Sequence, residues 1–412
     1  MGSIIRYSKY RPRIIEVLGS GSADEIDRVQ SIDKTGTINK TKVEEVGTDG
    51  VVEYVNQPPS VAYRMVQMEY GQLSFFNKLA NKADDNDTIE LTDFAASTFD
   101  ICSYMTDDAD TFKGTNWIPK LRLSGFSINI GSPTALIQRN FDFVGEDWIN
   151  WQGDNKYLIY KEKEVESGDL GSGGDVEITI SDPVAVEDPD DEVYIIRVVR
   201  IRDSVATELS VADADYAYGT GTLTIEDCEA DDLIKYWYTA TTYIAGETPF
   251  TSNTTDLPAI QADSVSIYLE TGNYVYRLKS ANIDVRLTRQ DEGEIGNTDI
   301  VQRGIGEKTV TITLDRNLED LTIEELIAGQ TTDYGKLDIR KFTDKLTIRV
   351  KLFSDNNKGT FLMGFKCGNL APSEIRGGTS VGNYTGQGNT LVGQDCVISD
   401  VEATIDESGA DA

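Results

Sequence analysis

The chain repeats itself. Residues Arg28–Gly47 (RVQSIDKTGTINKTKVEEVG) lie over Arg277–Gly296 (RLKSANIDVRLTRQDEGEIG), with Arg28, Ser31, Glu45 and Gly47 meeting Arg277, Ser280, Glu294 and Gly296. The offset of 249 residues, from Arg28 to Arg277, continues without a gap. Val51 and Val52 meet Ile300 and Val301, and Val61, Tyr63 and Met65 meet Val310, Ile312 and Leu314. Such a repeat constrains the fold strongly, because the structure one copy adopts must also suit the other. A helical pattern follows in each copy, at Gly71–Lys82 and Leu318–Ala328. Each is followed by an alternating strand ending in acid, Phe99–Asp108 and Leu346–Asp355. Two more matches come next: LSGFSINIGSP at Leu123–Pro133 over LMGFKCGNLAP at Leu362–Pro372, and VGED at Val144–Asp147 over VGQD at Val392–Asp395. Each copy is therefore expected to be strand, hairpin, helix, strand and a two-strand return, spanning Asp27–Trp151 and Asp263–Ile405.

Period-two alternation of β-branched and aromatic residues dominates the chain, as in VYIIRVVRI at Val193–Ile201, LRLSGFSINI at Leu121–Ile130, VTITL at Val310–Leu314 and LTIRVKLF at Leu346–Phe353. The expected class is mainly β: two tandem β-sandwich or barrel domains, each with a short helix, and a β-sandwich between them. The boundaries are 1–26 for an N-terminal arm, 27–151 and 263–412 for the two copies, and 152–262 for the middle domain. An acidic tail ends the second copy.

The middle segment is of a different kind. Strand patterns at Val176–Ile180, Val193–Ile201, Gly221–Glu226 and Leu233–Ile244 are separated by acidic turns, which suggests a small β-sandwich. Turn-rich stretches flank it, SGDLGSGG before and GETPFTSNTTDLP after. Between Asn155 and Ala262 stand 23 acids and 7 bases, a net of −16 out of −32 for all 412 residues. Half of the negative charge sits on about a quarter of the chain.

Composition removes several function classes. No histidine is present, so Ser-His-Asp and Cys-His nucleophile pairs and His-ligated metals are excluded. The acidic balance argues against wrapping DNA or coating an anionic membrane. The N-terminal stretch carries Arg6, Lys9, Arg11 and Arg13 without an apolar core of secretory type, so no signal peptide is expected. Nor is there an apolar run of membrane-spanning length. Cys102, Cys228, Cys367 and Cys396 form no CxxC pair and read as buried thiols, with a Cys367–Cys396 bridge as the alternative. Dense acid suits a salt-rich medium such as a haloarchaeal one, while twenty lysines point the other way.

Candidate chemistry is sparse. Asp84–Asp87, Asp107–Asp110 and Asp188–Asp191 offer oxygens, but none has the register of an EF-hand loop, and they read as solvated turns. A carboxylate pair for glycoside hydrolysis has no locatable position among 70 acids. The glycine-rich stretches at Gly168–Gly174 and Gly377–Gly393 lack the ending of a P-loop and read as loops, the latter a flexible one between two strands. Phe75, Phe76, Phe126, Tyr236, Trp237 and Tyr238 read as core. No catalytic, cofactor-binding or metal-ligating residue is assigned, and no cofactor is expected.

The run RVQSIDKTGTINKTKVEEVG, the Pro-containing hairpin VVEYVNQPPSVAYRMVQMEYG, the short helix after it, and LSGFSINIG followed by QRNFDFVGE resemble the major tail tube protein of tailed viruses. The resemblance covers both copies, about two thirds of the chain, and rests on patterns of strand and turn. It implies a structural virion protein, not an enzyme. Self-association would give homotrimeric, pseudohexameric rings with six tube domains, stacked into a tube through which the genome passes. The middle domain would be an Ig-like sandwich on the tube exterior. Partners would be other tail proteins (tape measure, terminator, baseplate or tip) and viral DNA as transient cargo in an acidic lumen, with no membrane. The protein would be made in the host cytoplasm and reside in the virion tail, its basic arm docking on a neighbouring ring. The alternatives are a secreted or surface β adhesin that binds glycans, and a glycan-cleaving enzyme using carboxylates.

Overall fold

A computed structural model describes residues 10–16, 24–38, 40–44, 51–56, 60–83, 85–95, 97–106, 112–132, 134–145, 147–152, 157–171, 173–180, 195–203, 205–210, 214–217, 221–240, 258–269, 273–275, 278–293, 300–317, 345–378 and 386–406. The protein is mainly β, as the alternation requires. It divides into two compact units, one of Met1–Ile26, Thr98–Leu121 and Gly145–Thr254, the other of Asp27–Ser97, Arg122–Val144 and Thr255–Ala412. Strands are numbered in chain order.

The first unit holds a sheet ordered β2-β1-β8-β9-β11, from β1 (Tyr10–Glu16), β2 (Asp24–Glu25), β8 (Phe99–Thr106), the start of β9 (Phe112–Ile130) and β11 (Ile149–Gln152). It also holds the expected sandwich. One layer is ordered β12-β18-β14-β15, from β12 (Tyr157–Glu164), β14 (Ile195–Arg202), β15 (Val205–Glu208) and β18 (Leu233–Ala240). The other is ordered β13-β17-β16, from β13 (Val176–Thr179), β16 (Ala214–Ala217) and β17 (Thr222–Ile225). Inward residues of both layers form one buried cluster, with Val176, Ile178, Leu223 and Ile225 from one layer and Ile159, Val198, Ile234, Tyr236 and Tyr238 from the other. Alternate residues along each strand enter it, as period-two geometry demands.

The second unit is built on an eight-stranded sheet ordered β3-β6-β10-β9-β21-β22-β25-β24. Its strands are β3 (Val29–Thr37), β6 (Ser60–Met68), β10 (Gln138–Gly145), the end of β9, β21 (Leu278–Gly293), β22 (Ile300–Asn317), β24 (Phe361–Gly378) and β25 (Gly386–Gly393). A second sheet is ordered β20-β19-β23-β24-β26-β7, from β7 (Thr88–Glu90), β19 (Val265–Leu269), β20 (Asn273–Tyr274), β23 (Leu346–Phe353) and β26 (Asp395–Ser399). Helix α1 (Ser74–Ala80) buries Phe75, Phe76 and Leu79. Phe76 meets Phe126, Phe141 and Phe365 edge-on, with centroids 5.2, 5.5 and 6.2 Å apart. The helix stops at Asn81, whose φ of +57° is the left-handed turn asparagine tolerates. Residues 318–328, the second helical pattern, lie outside the described residues.

The repeat extends to individual strand registers. In hairpin β3–β6, Val29 faces Gln67 and Thr35 faces Ala62, with a bulge between Val29 and Ser31. In β21–β22, Leu278 faces Arg316 and Asp284 faces Thr311, with the bulge between Leu278 and Ser280. All are 249 residues on. Beyond β3–β6 runs a two-stranded ribbon of β4 (Lys40–Glu44) and β5 (Val51–Asn56), in which Lys40 faces Asn56 and Glu44 faces Val51. Its counterparts in β21–β22 are Arg289 facing Ile305 and Gly293 facing Ile300. Pairing of β8 with β9 runs from Phe99–Leu121 to Thr106–Phe112, and that of β23 with β24 from Leu346–Leu370 to Phe353–Phe361, with irregularities at matching ends. The strand order β3-β6-β10-β9 recurs as β21-β22-β25-β24.

Four expectations change. The match of Leu123–Pro133 to Leu362–Pro372 is ten residues out of register. The bulge beside Leu123 has its counterpart beside Pro372, and Ser124 Oγ donates to the Asp142 carbonyl (2.9 Å) as Ser373 Oγ donates to that of Thr390 (3.2 Å). The shared Gly-Phe has two unrelated causes, since Gly125 lies under the Val285 carbonyl and Gly364 under that of Val350 and against Ile405. The expected arm contains a strand. Residues of β1 pair with β8 along their whole length, as those of β19 pair with β23. Backbone pairing suffices for this, whatever the side-chain charge. The stretch from Gly377 is not all loop, because Gly377 pairs with Gln387 and Gly378 with Gly386 in a strand pair that continues to Ala371 and Val392; residues 379–385 lie outside the described residues. The second copy ends in a short helix at 402–406, and the rest of the expected acidic tail, 407–412, lies outside the described residues. Helix α2 (Glu402–Asp406) buries Ile405 and gives carboxylates to Lys351 Nζ at 2.9 and 2.7 Å. Cys367 and Cys396 are directly opposed on β24 and β26, Cα atoms 4.0 Å apart, and form the disulfide rather than two thiols. Cys102 and Cys228 are buried and free of disulfides.

Candidate assembly surface

No group of three or more acids and cysteines disposed to hold a metal occurs among the described residues. Of the acidic clusters, Asp107–Asp110 and Asp188–Asp191 lie outside them. In the cluster at 84–87, Asn86 is spent on the protein itself, bonding Asn77 and the Thr88 carbonyl. The six aromatic residues read as core are all buried. Buried charge serves the structure. In the first unit, Asp100 accepts Arg197 Nη1 of the sandwich (3.1 and 3.2 Å), Trp117 Nε1 (3.0 Å) and the Lys120 amide (3.0 Å). In the second, Arg139 donates Nε to Gln67 (2.8 Å), lies 3.5 Å from Glu69 and covers the Tyr70 ring at 4.5 Å. The sequence reading missed both networks. A lone arginine in an alternating strand carries no sign of facing inward until its partners are known.

What the second unit does offer is edges. Its eight-stranded sheet is two four-stranded sheets joined side by side through β9 and β21, with Ile130, Ile128 and Phe126 opposite Ala281, Ile283 and Val285. All six side chains are buried. Gly125 opposite Arg286 is required by the approach, since a Cβ there would stand 2.6 Å from the Val285 carbonyl. Arg289 locks the joint. It donates Nε to the Leu123 carbonyl (2.8 Å), Nη1 to that of Ala95 (2.9 Å) and Nη2 to that of Phe94 (3.0 Å). Three carbonyls on one guanidinium match its planar fork.

The outer edges are the same two strands of the repeat, uncovered. Counterpart to β21 is β3, and counterpart to the end of β9 is the end of β24. Among the described residues neither has a strand on its outer side. Ile38 is 77% exposed, whereas its counterpart Leu287 at the joint is 1% exposed. Ile32, Ile375 and Pro372 are half-buried where Ala281, Phe126 and Leu123 are buried. Lys34 replaces Ile283, and burial alone lowers its pKa from 10.5 to about 8. Unpaired edges of this kind are templates for another strand.

Compared with known proteins, the chain matches no family model and no curated sequence.

Proposed function

We propose that the chain is a self-assembling structural subunit of a virus tail tube. Rings of three chains, each giving two sheets, would stack around a channel for the genome. The observation that carries this reading is the joint of β9 with β21: one copy of the repeat already continues into the next, edge to edge, and the outer edges β3 and β24 are the same two strands awaiting the same step. A head-to-tail contact of this type repeats until it closes on itself or grows into a filament. The long ribbons β4–β5 and the far half of β21–β22 share one register and stand at equivalent places, as stacking from one ring to the next would need. Net acidity would keep a passing polyanion from adhering. The buried contact of Arg197 with Asp100 ties the sandwich to the other sheet of its own unit, and the sandwich would lie on the tube exterior.

Negative-stain microscopy of the purified protein across concentration and salt tests this. Rings or tubes about one chain repeat high are expected. A monodisperse monomer under every condition refutes it and favours a binding module.

A further inference from the structure

We infer that β24 of one chain covers β3 and Ile38 of a second copy in the register of the β9–β21 joint, and that Lys34 and Gly377 keep this joint weak, so that oligomers form only above a threshold concentration. The inference rests on the self-assembly reading and deepens it by naming the partner strands.

Shifting the β9–β21 register by 249 residues on each strand gives the pairs. Asn129–Asn282 becomes Gly378–Asp33, Ile128–Ile283 becomes Gly377–Lys34, Ser127–Asp284 becomes Arg376–Thr35, and Phe126–Val285 becomes Ile375–Gly36. The next pair, Gly125–Arg286, becomes Glu374–Thr37. Gly125 has no Cβ because the opposing carbonyl stands 2.6 Å from where it would be. Glu374 has one, so the pairing between chains ends at Ile375–Gly36. Lys40 takes the place of Arg289 and reaches toward the carbonyl of Pro372, the counterpart of Leu123, with one ammonium instead of a three-bond fork.

On the core face the exchange is consistent. The joint within the chain buries Ile128 against Ile283 and Phe126 against Val285. The joint between chains offers Gly377 against Lys34 and Ile375 against Gly36. The first apolar pair is lost on both sides, with an amine to be covered where an isoleucine was, and the second pair is lost on one side. Charged and glycine positions on an exposed edge are the usual protection against unscheduled strand pairing. Ile38 is the attraction that remains, 77% exposed in the lone chain where its counterpart Leu287 is buried.

The test uses the full chain. Thr35→Cys with Arg376→Cys should give an intermolecular disulfide on mild oxidation of assembled protein. A Thr35→Cys, Ser373→Cys control should not. Lys34→Ile should lower the concentration at which oligomers form at least tenfold in light scattering, and Ile38→Asp should raise it at least tenfold. Ile38 is exposed, so that variant keeps its fold, which circular dichroism checks. Rings that form without the Thr35–Arg376 cross-link overturn the register while leaving self-assembly standing. A cross-link with an unchanged threshold in Lys34→Ile overturns the restraint. Failure of wild type and all variants to assemble overturns this inference together with the function it rests on.

Discussion

Ile38 and Leu287 occupy one position in two copies of the same hairpin, 249 residues apart, and differ from 77% to 1% exposed. Leu287 lies within the continuous strand β21, and Ile38 between β3 and the ribbon strand β4. Strand β9 lies along the outer side of β21, and among the described residues no strand lies along the outer side of β3.

The two positions should therefore respond differently to truncation. Leu287→Ala removes buried methyl groups and should destabilise the chain by about 2–4 kcal/mol in urea unfolding. Ile38→Ala should change stability by under about 0.5 kcal/mol. Equal losses at both would mean that Ile38 is covered within its own chain.

Lys34 should make stability depend on pH in the alkaline range. Its folded pKa of about 8 lies below the 10.5 of the unfolded chain, so between these values the unfolded state binds more protons. Stability should rise with pH from about 8 to 10.5, with the penalty fully present below 8. Lys34→Met should flatten that part of the profile. Urea midpoints at pH 7.5, 9 and 10.5 measure it, and an equal slope in both proteins counts against burial as the cause.

Arg139 is fully buried beside Glu69, with Gln67 as its hydrogen-bond partner. Arg139→Ala leaves a carboxylate buried without that guanidinium and should cost about 3–5 kcal/mol. Arg139→Met together with Glu69→Gln should recover a substantial part of this. A double-mutant cycle by urea unfolding separates the coupling from lost packing.

The Cys367–Cys396 bond closes a loop with a sequence separation of 29. By loop entropy it should contribute about 3–4 kcal/mol. Unfolding with and without reductant, and of the Cys367→Ala, Cys396→Ala pair, should show that loss. An unchanged midpoint would mean that the thiols remain reduced in solution.

The offset of 249 residues was legible wherever β-branched residues alternate in long hairpins, as at Val61, Tyr63 and Met65 against Val310, Ile312 and Leu314. It was misread at Leu123, because Leu, Gly and Phe recur in strands for local reasons. Only the bulge at Ser124 and Ser373 sets the register there, and a bulge leaves little trace in sequence. Strand β1 was missed because Arg11, Pro12 and Arg13 hide its alternation. The edges were beyond reach for another reason. Whether a strand is interior or outer depends on what lies beside it, and Ile38 and Leu287 differ in their neighbour rather than in their own character.

Fusing two copies of the sheet into one polypeptide also fixes parity. Every chain that joins an assembly adds a pair, so a closed circle made this way holds an even number of sheets. Its seams would alternate between a covalently tethered kind with apolar pairs and an untethered kind with glycine and lysine. Opening such a circle would begin at the second kind, and a substitution in either copy would recur at every other place around it.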